Sequence, residues 1–237
     1  MGSPNGGAHD VACGRGAGVD DFRYRCVIME ELAREALASI HVGLTCHDDI
    51  VGPYLRDLCT DEQRKRWLPG VAGGEIITAM GMTEPDALIH LMERLPRERL
   101  ALAYFAQTVA EHALAWTVEY TRTRKAFGAP LASLQNIRSK LAEMATEIDV
   151  TRTFVDAAVL ALNDGELSAT DAAKAKWWAS DMQIRVIDTC VQLHGGYGYM
   201  MEYPIARVWQ DARIQTIYGG ANEIMKEIIG RELAAGG

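Results

Sequence analysis

From Asp20 onward the apolar positions recur at helical spacing, and the one run with strand-like alternation of β-branched residues is the short EIITAMGMT at 75–83. The pattern predicts an all-α chain. Phe22 to Leu44, rich in Ala, Leu and Glu, reads as one helix, with a second around Ile50 to Leu58. A third begins at Thr60, an N-cap with Asp61 and Glu62 in the first turn, and stops near Pro69-Gly70. Residues 1–18 hold six glycines and no periodicity, so they read as a Gly-rich flexible head.

The second half is more regular. Leu102, Phe105, Val109, Ala113, Trp116 and Tyr120 form one apolar stripe, and Leu134, Ile137, Leu141, Met144, Ile148, Val155, Val159 and Leu162 form another. These predict two antiparallel helices. After the turn Asn163-Asp164-Gly165, Ser168 with Asp171 three residues on opens a helix that runs to His194, where Gly195-Gly196 stops it. At ~1.5 Å per residue that helix is about 39 Å long, a match for its neighbours. A last helix follows Asn222, with Ile224 and Ile228 on one side and an end at Arg231 to Leu233. Four such helices predict an up-down four-helix bundle.

Composition narrows the function classes. A net charge of −8 and the lack of any long Lys/Arg run argue against a nucleic-acid surface, and no apolar run reaches membrane-spanning length. Five cysteines, Cys13, Cys26, Cys46, Cys59 and Cys190, are odd in number and lack C-x-x-C spacing. They read as reduced thiols of a cytoplasmic protein, since the N-terminus shows no export or transit pattern. No histidine pair at i, i+4 spacing suggests a metal, and no GxSxG appears. The string Gly14, Gly16, Gly18 has no strand before it and carries little weight as a nucleotide motif.

Three stretches keep chemical interest. YTRTRKAFGAPLASLQ (120–135) sets Arg124 and Lys125 beside Phe127 and offers the Gln135 amide, a group suited to an anionic, partly aromatic ligand. In VQLHGGYGYMMEYPIARVWQDAR (191–213), glycines 195, 196 and 198 let backbone approach a ligand. IYGGANEIMKEIIGREL (217–233) puts two glycines before a helix N-terminus, whose free N–H groups favour anions. Taken singly, a solvated cap at Arg124, a helix C-cap at Gly195-Gly196 and a tight turn at Gly219-Gly220 explain each stretch equally well. Their combination favours a ligand site.

Together the motifs TRTRKAFG…LQ, QLHGGYGYMMEYPIARVWQDAR and IYGGANEIMKEIIGRE resemble the C-terminal helical domain of the acyl-CoA dehydrogenase family, most closely its long-chain type. The likeness covers about residues 91–233, and residues 18–85 resemble the end of the family's N-terminal helical domain. The organisation implied is a head (1–18), a partial N-terminal helical domain (19–85), a junction (86–90) and a C-terminal helical bundle (91–237). Family members carry a β-domain after the TEP turn, whereas here Asp86-Ala87 leads straight into the helix entry LIHLMERLPRERL. The Gly-rich head stands where the family has its first helices.

The resemblance also implies a site. The base that most relatives keep beside the tyrosine of the third motif corresponds to Gly219, which has no side chain to take a proton. In the long-chain and isovaleryl types the base comes from the segment resembling LPRERL, which points to Glu98 as catalytic residue. Pro96, Arg97, Arg99, Tyr218, Gly219 and Gly220 are then expected around the substrate. FAD is the implied cofactor, at Arg124, Phe127, Gln135, Gln192, Leu193, His194, Gly195, Gly196, Ala221, Asn222 and Glu223, partly through a neighbouring subunit. Relatives more often have Thr where this chain has Ala221. The implied activity is α,β-dehydrogenation of an acyl-CoA by a homo-oligomer (dimer or tetramer), with an electron-transfer flavoprotein as electron acceptor. A non-catalytic helical assembly subunit of such an enzyme is the alternative. Arginines favour an ionised Glu98 and burial opposes it, so sequence leaves the direction of its pKa shift open.

Overall fold

The computed structural model describes residues 21–80 and 85–235, with no side-chain detail for 85–91 and 93. The head with Gly14, Gly16 and Gly18, and Thr83 and Glu84 of the TEP turn, lie outside the described residues. Helices in chain order are α1 (Phe22–Arg34), α2 (Ala38–Leu44), a π-helical segment (Thr45–Val51), α3 (Gly52–Asp57), α4 (Asp61–Ala72), α5 (Pro85–Thr123), α6 (Gln135–Asn163), α7 (Ala169–His194), α8 (Pro204–Ala212) and α9 (Asn222–Ala235). The all-α expectation holds.

The single helix expected over Phe22–Leu44 is broken. Ala36 takes a left-handed φ of 55°, and the bonds Leu37 N–H to Leu32 O (2.9 Å) and Ala36 N–H to Ala33 O (3.0 Å) make a Schellman stop. Glycine normally marks this stop, so an alanine hides it in the sequence. Chain through Ile50 is π-helical rather than a fresh helix start, with the Gly52 N–H reaching back to His47 O. Thr60 does cap α4, and in a full capping box: its hydroxyl accepts from Gln63 N–H (3.3 Å) while Gln63 Oε1 accepts from Thr60 N–H (2.9 Å). That helix passes Pro69 and ends at Ala72. Among the described residues of EIITAMGMT no strand forms.

Helix α5 is the axis of the fold. It starts at Pro85, so the junction 86–90 lies in its first turns, and Pro96 sits inside it. One apolar stripe was expected, yet every residue from Leu100 to Ala110 is buried. The cause is that α5 has neighbours on all sides: α1 and the π-helical segment against one flank, α6 and α7 against the others. The His41 ring of α2 stacks on Phe105 with centroids 3.6 Å apart. Helix α9 packs on α7.

Local chemistry sets the joins. Phe127 (φ 53°) and Gly128 (φ 82°) make a two-residue turn between the short strands β1 (Lys125–Ala126) and β2 (Ala129–Pro130), a small hairpin. Ser168 Oγ accepts from the Asp171 N–H at 2.9 Å, as its spacing predicts. Asn163, read as a turn residue, also ties α6 to α1. Its Oδ1 accepts from Phe22 N–H (2.9 Å) and its Nδ2 donates to Asp21 (2.8 Å).

Asn163→Ala removes both bonds and leaves a helix-start N–H without its acceptor. The expected cost is about 0.5–2 kcal/mol in urea unfolding, with hydrogen exchange accelerated at the start of α1 and unchanged in the middle of α7.

Candidate active site

Glu98 and Arg99 stand directly before the fully buried stretch of α5, and both are buried themselves. At ~100° per residue, Leu102 points between the directions of Glu98 and Arg99. That residue meets the third motif. A Cβ built on Gly219 (φ +64°) falls 2.3 Å from Leu102 Cδ1, and one on Gly220 (φ +99°) falls 2.6 Å from Met225 Cε and 3.9 Å from an Arg99 amino nitrogen. A side chain at either place would meet a strained backbone and have to displace the end of Leu102 or Met225. The 218–220 turn therefore packs against Arg99 and Leu102 of α5, from which it is far in sequence.

Burial decides the open question about Glu98. Desolvation pushes its carboxyl up to about 7, with Asp49 adding in the same direction, while Arg99 and Arg94 pull the other way. Asp49 comes from the π-helical segment, is itself buried, and accepts from Arg25 Nε at 2.8 Å. Glu98 Oε1 and the Tyr218 hydroxyl are buried with no hydrogen-bond partner among the described residues. Burial also raises the Tyr218 phenol. In addition, the N–H groups of Gly219 and Ala221 find no acceptor among the described residues. Glu98 Oε1 on α5 and, in the 218–221 turn, a buried phenol and the free amides are the unpaired polar groups of this candidate site.

Not every expected substrate residue joins it. Arg97 is two positions, about 200°, around the helix from Arg99. Its guanidinium lies over the Phe22 ring of α1 at 5.1 Å, a cation–π contact that fastens α5 to α1. Pro96 is half-buried in α5.

The second group of expected residues forms an open groove of about 480 Å³ lined by Arg124, Gln192, Leu193, His194, Gly195 and Gly196, with Tyr120, Leu131, Tyr197 and Met200. Gly195 (φ +61°) ends α7, and a Cβ at Gly195 or Gly196 would meet nothing within 4 Å, so the backbone there is open to a ligand. Arg124 lies over the Tyr197 ring at 5.4 Å. His194 is engaged inward: its ring stacks on Tyr120 at 4.2 Å, and Nδ1 lies 2.9 Å from the Cys190 carbonyl, to which it donates. Burial holds its pKa below the usual histidine value. Gly198 was expected to admit a ligand too. Instead a Cβ there would fall 2.4 Å from the Val191 carbonyl, so this glycine serves packing of the turn on α7.

Phe127, 98% exposed, and Gln135, also exposed, stand outside the groove. In the third motif Glu223 is exposed and Ala221 half-buried, while Asn222 turns inward. Its Nδ2 donates to Ser180 (2.9 Å) and Asp181 (2.8 Å), and its Oδ1 accepts from Lys176 (2.8 Å), so its side chain holds α9 to α7 and offers nothing to a ligand. Sequence reasoning missed Lys176, Leu102 and Asp49. For Lys176 a signal existed, since it falls among Ala172, Ala173, Ala179 and Ser180 on the inner face of α7.

Residues 89–234 match the family model described as acyl-CoA dehydrogenase, C-terminal domain, and residues 9–75 match acyl-CoA dehydrogenase, N-terminal domain. The chain belongs to the acyl-CoA dehydrogenase family, and it passes from one helical domain to the other without the middle domain. It is 49% identical over 150 residues to the long-chain specific acyl-CoA dehydrogenase, mitochondrial, of Sus scrofa, covering 63% of this chain and 35% of that protein. It is 43% identical over 142 residues to the short-chain specific acyl-CoA dehydrogenase of Megasphaera elsdenii, covering 60% and 37%. The crystal structure of acyl-CoA dehydrogenase from Geobacillus kaustophilus superposes with a TM-score of 0.84 at 32% identity, over 90% of this chain and 83% of that one. The chain spans about a third of the length of the curated relatives it matches.

Three measurements check the site. Labelled-glutamate NMR should find Glu98 titrating near 7, and lower in Asp49→Asn, which removes a like charge. Because the folded-state pKa is raised, the carboxyl binds more protons folded than unfolded between about 4.5 and about 7. Its contribution to stability is thus present at low pH and lost as pH rises through 7. Glu98→Gln should gain stability relative to wild type at pH 8 compared with pH 5. Separately, Gly219→Ala should cost about 1–3 kcal/mol, part of it recovered by adding Leu102→Ala, which opens the space the new Cβ needs.

Proposed function

We propose that this chain carries the helical share of an FAD-dependent acyl-CoA dehydrogenase site, in which Glu98 removes the α-proton of an acyl-CoA thioester. The observation that supports it most directly is Glu98 itself: buried, with a free carboxylate oxygen, poised near pH 7, and directly before Arg99, which lies beside a glycine turn with unpaired amides. A base whose pKa lies near the working pH combines a useful ionised fraction with a strong proton affinity. The Gly219 N–H, left without an internal acceptor, is suited to stabilise charge that develops on the thioester oxygen as the proton leaves. Tyr218 and Arg99 wall the site, and exclusion of water strengthens these interactions.

FAD, when bound, supplies the acceptor for the β-hydride. Arg124, Gln192, Leu193, Gly195 and Gly196 fit one face of its diphosphate and adenosine, because they line an open groove with a cation at its edge. Ala221 and Glu223 would add backbone contacts at the start of α9; the hydroxyl that relatives carry at position 221 is missing, a loss of about 0.5–1.5 kcal/mol. Phe127 and Gln135 point outward, which suits contact with the FAD of a second copy in a homo-oligomer, a dimer or tetramer. An electron-transfer flavoprotein would take the electrons onward. The free cysteines fit a reducing compartment, and cytoplasmic residence is part of this reading.

A second reading, a non-catalytic assembly subunit, is favoured by one observation, the missing middle domain between the two helical matches. The two are separated by adding FAD and acyl-CoAs of several lengths, with an artificial electron acceptor, to the chain and to a version carrying a relative's middle domain between Asp86 and Ala87. We expect the chain alone to purify nearly flavin-free and inactive, because the flavin ring lacks a wall. The completed version should hold flavin and turn over, and its Glu98→Gln variant should keep flavin and lose about 10²-fold or more in rate. An inactive completed version supports the assembly subunit.

Assembly has its own check. Sedimentation at micromolar concentration should give a dimer or larger, through an interface of more than about 1,000 Å². A strict monomer would remove the role given to Phe127 and Gln135.

A further inference from the structure

Lys176 is fully buried on α7, yet among the described residues no carboxylate lies within ion-pair distance of it. Its ammonium donates to two neutral oxygens, the Gly220 carbonyl at 2.7 Å and Asn222 Oδ1 at 2.8 Å. Nearby Asp181 is occupied by the Asn222 amide (2.8 Å) and the Trp177 indole N–H (2.7 Å). A buried cation left on neutral acceptors is costly, so its placement on one particular carbonyl calls for a reason.

Geometry supplies one. In a trans peptide the C=O and N–H point in opposite directions. Lys176 draws the Gly220 carbonyl toward α7, and the N–H of the same peptide, that of Ala221, must then point away from α7. The Ala221 N–H finds no acceptor among the described residues. Gly220, at φ +99° with no side chain, has little of its own to resist rotation of that peptide plane. We propose that Lys176 is a positioning residue, whose grip on the Gly220 carbonyl fixes the Gly219–Ala221 backbone so that its free amides face the ligand side of the turn. Only the words "ligand side" rest on the proposed function; the grip itself is a property of the free chain.

The grip responds to pH. Burial lowers the lysine to about 8, Arg99 on α5 acts in the same direction, and Asp181 on α7 and Glu223 on α9 oppose it. Below about 8 the bond to Gly220 is charge-assisted, and above it a neutral amine donates more weakly.

The test uses the full 237-residue chain labelled with ¹³C and ¹⁵N, without ligand. The Lys176 Cε and Gly220 carbonyl-carbon signals should move together between pH 6.5 and 9.5 with one midpoint near 8. In Lys176→Met the Gly220 signal should be pH-invariant, and the ¹⁵N order parameters of Gly219 to Ala221 should fall from about 0.85 to below about 0.6 at pH 7, while Met182 and Val186 in the middle of α7 stay rigid. Lys176→Arg keeps a charged donor that does not titrate in this range, so it should retain the high order parameters and lose the titration. It decides the matter if the Met variant fails to fold. A Gly220 signal that is flat in the wild type, unchanged order parameters in a folded Lys176→Met, or a titration that persists in Lys176→Arg would each overturn the proposal. Adding FAD and an acyl-CoA to the version with the middle domain separates the two ideas. A confirmed grip with no flavin binding there leaves Lys176 standing and removes the cofactor reading.

Discussion

Everything in this structure hangs on the burial of α5 from Leu100 to Ala110. A helix enclosed on all sides has no solvent face to slide toward, and side chains packed at crystal-like density fix its rotation and its height. The residues just before that stretch inherit the constraint. Glu98 and Arg99 cannot turn to water without turning the core, so a carboxylate and a guanidinium are held in an environment neither would choose. The raised pKa of Glu98 follows from that enforced position.

The same enclosure explains why so many pieces converge on one place. Helix α5 is touched by α1, the π-helical segment, α6 and α7, so each brings its own groups to the central axis. Asp49 reaches the neighbourhood of Glu98 from the π-helical segment, and the glycine turn reaches Leu102 from the far end of the chain. In the second case the fit is steric: Leu102 occupies the volume a side chain at position 219 would need. Leu102 on α5 and a glycine at 219 are two sides of a single packing solution.

Much of this was legible in the sequence, and the failures have physical causes. The α6 and α7 boundaries followed from apolar spacing and the Ser168 cap, because those helices each keep one solvent face and so advertise their periodicity. Helix α5 concealed its full burial, since Ala, Thr and Gln at inner positions look polar or neutral in a hydropathy pattern. The stop at Ala36 was invisible because it lacks the usual glycine. Within the candidate site, Glu98, Arg99 and the 218–220 turn were named through resemblance, and the structure sets Arg99 beside the turn. Arg97, Gly198 and the Asn222 side chain proved to serve packing, a distinction that depends on which way a side chain points and which one-dimensional spacing does not carry.

Pro96 divides α5 into two mechanical parts. Having no N–H to offer the Met92 carbonyl, it removes a rung of the helix immediately before the enclosed stretch begins. Residues ahead of it are coupled to the rest of α5 more weakly than the buried ones are to each other. The helix therefore contains a soft joint between the point where a further domain would enter and the carboxylate that must hold still.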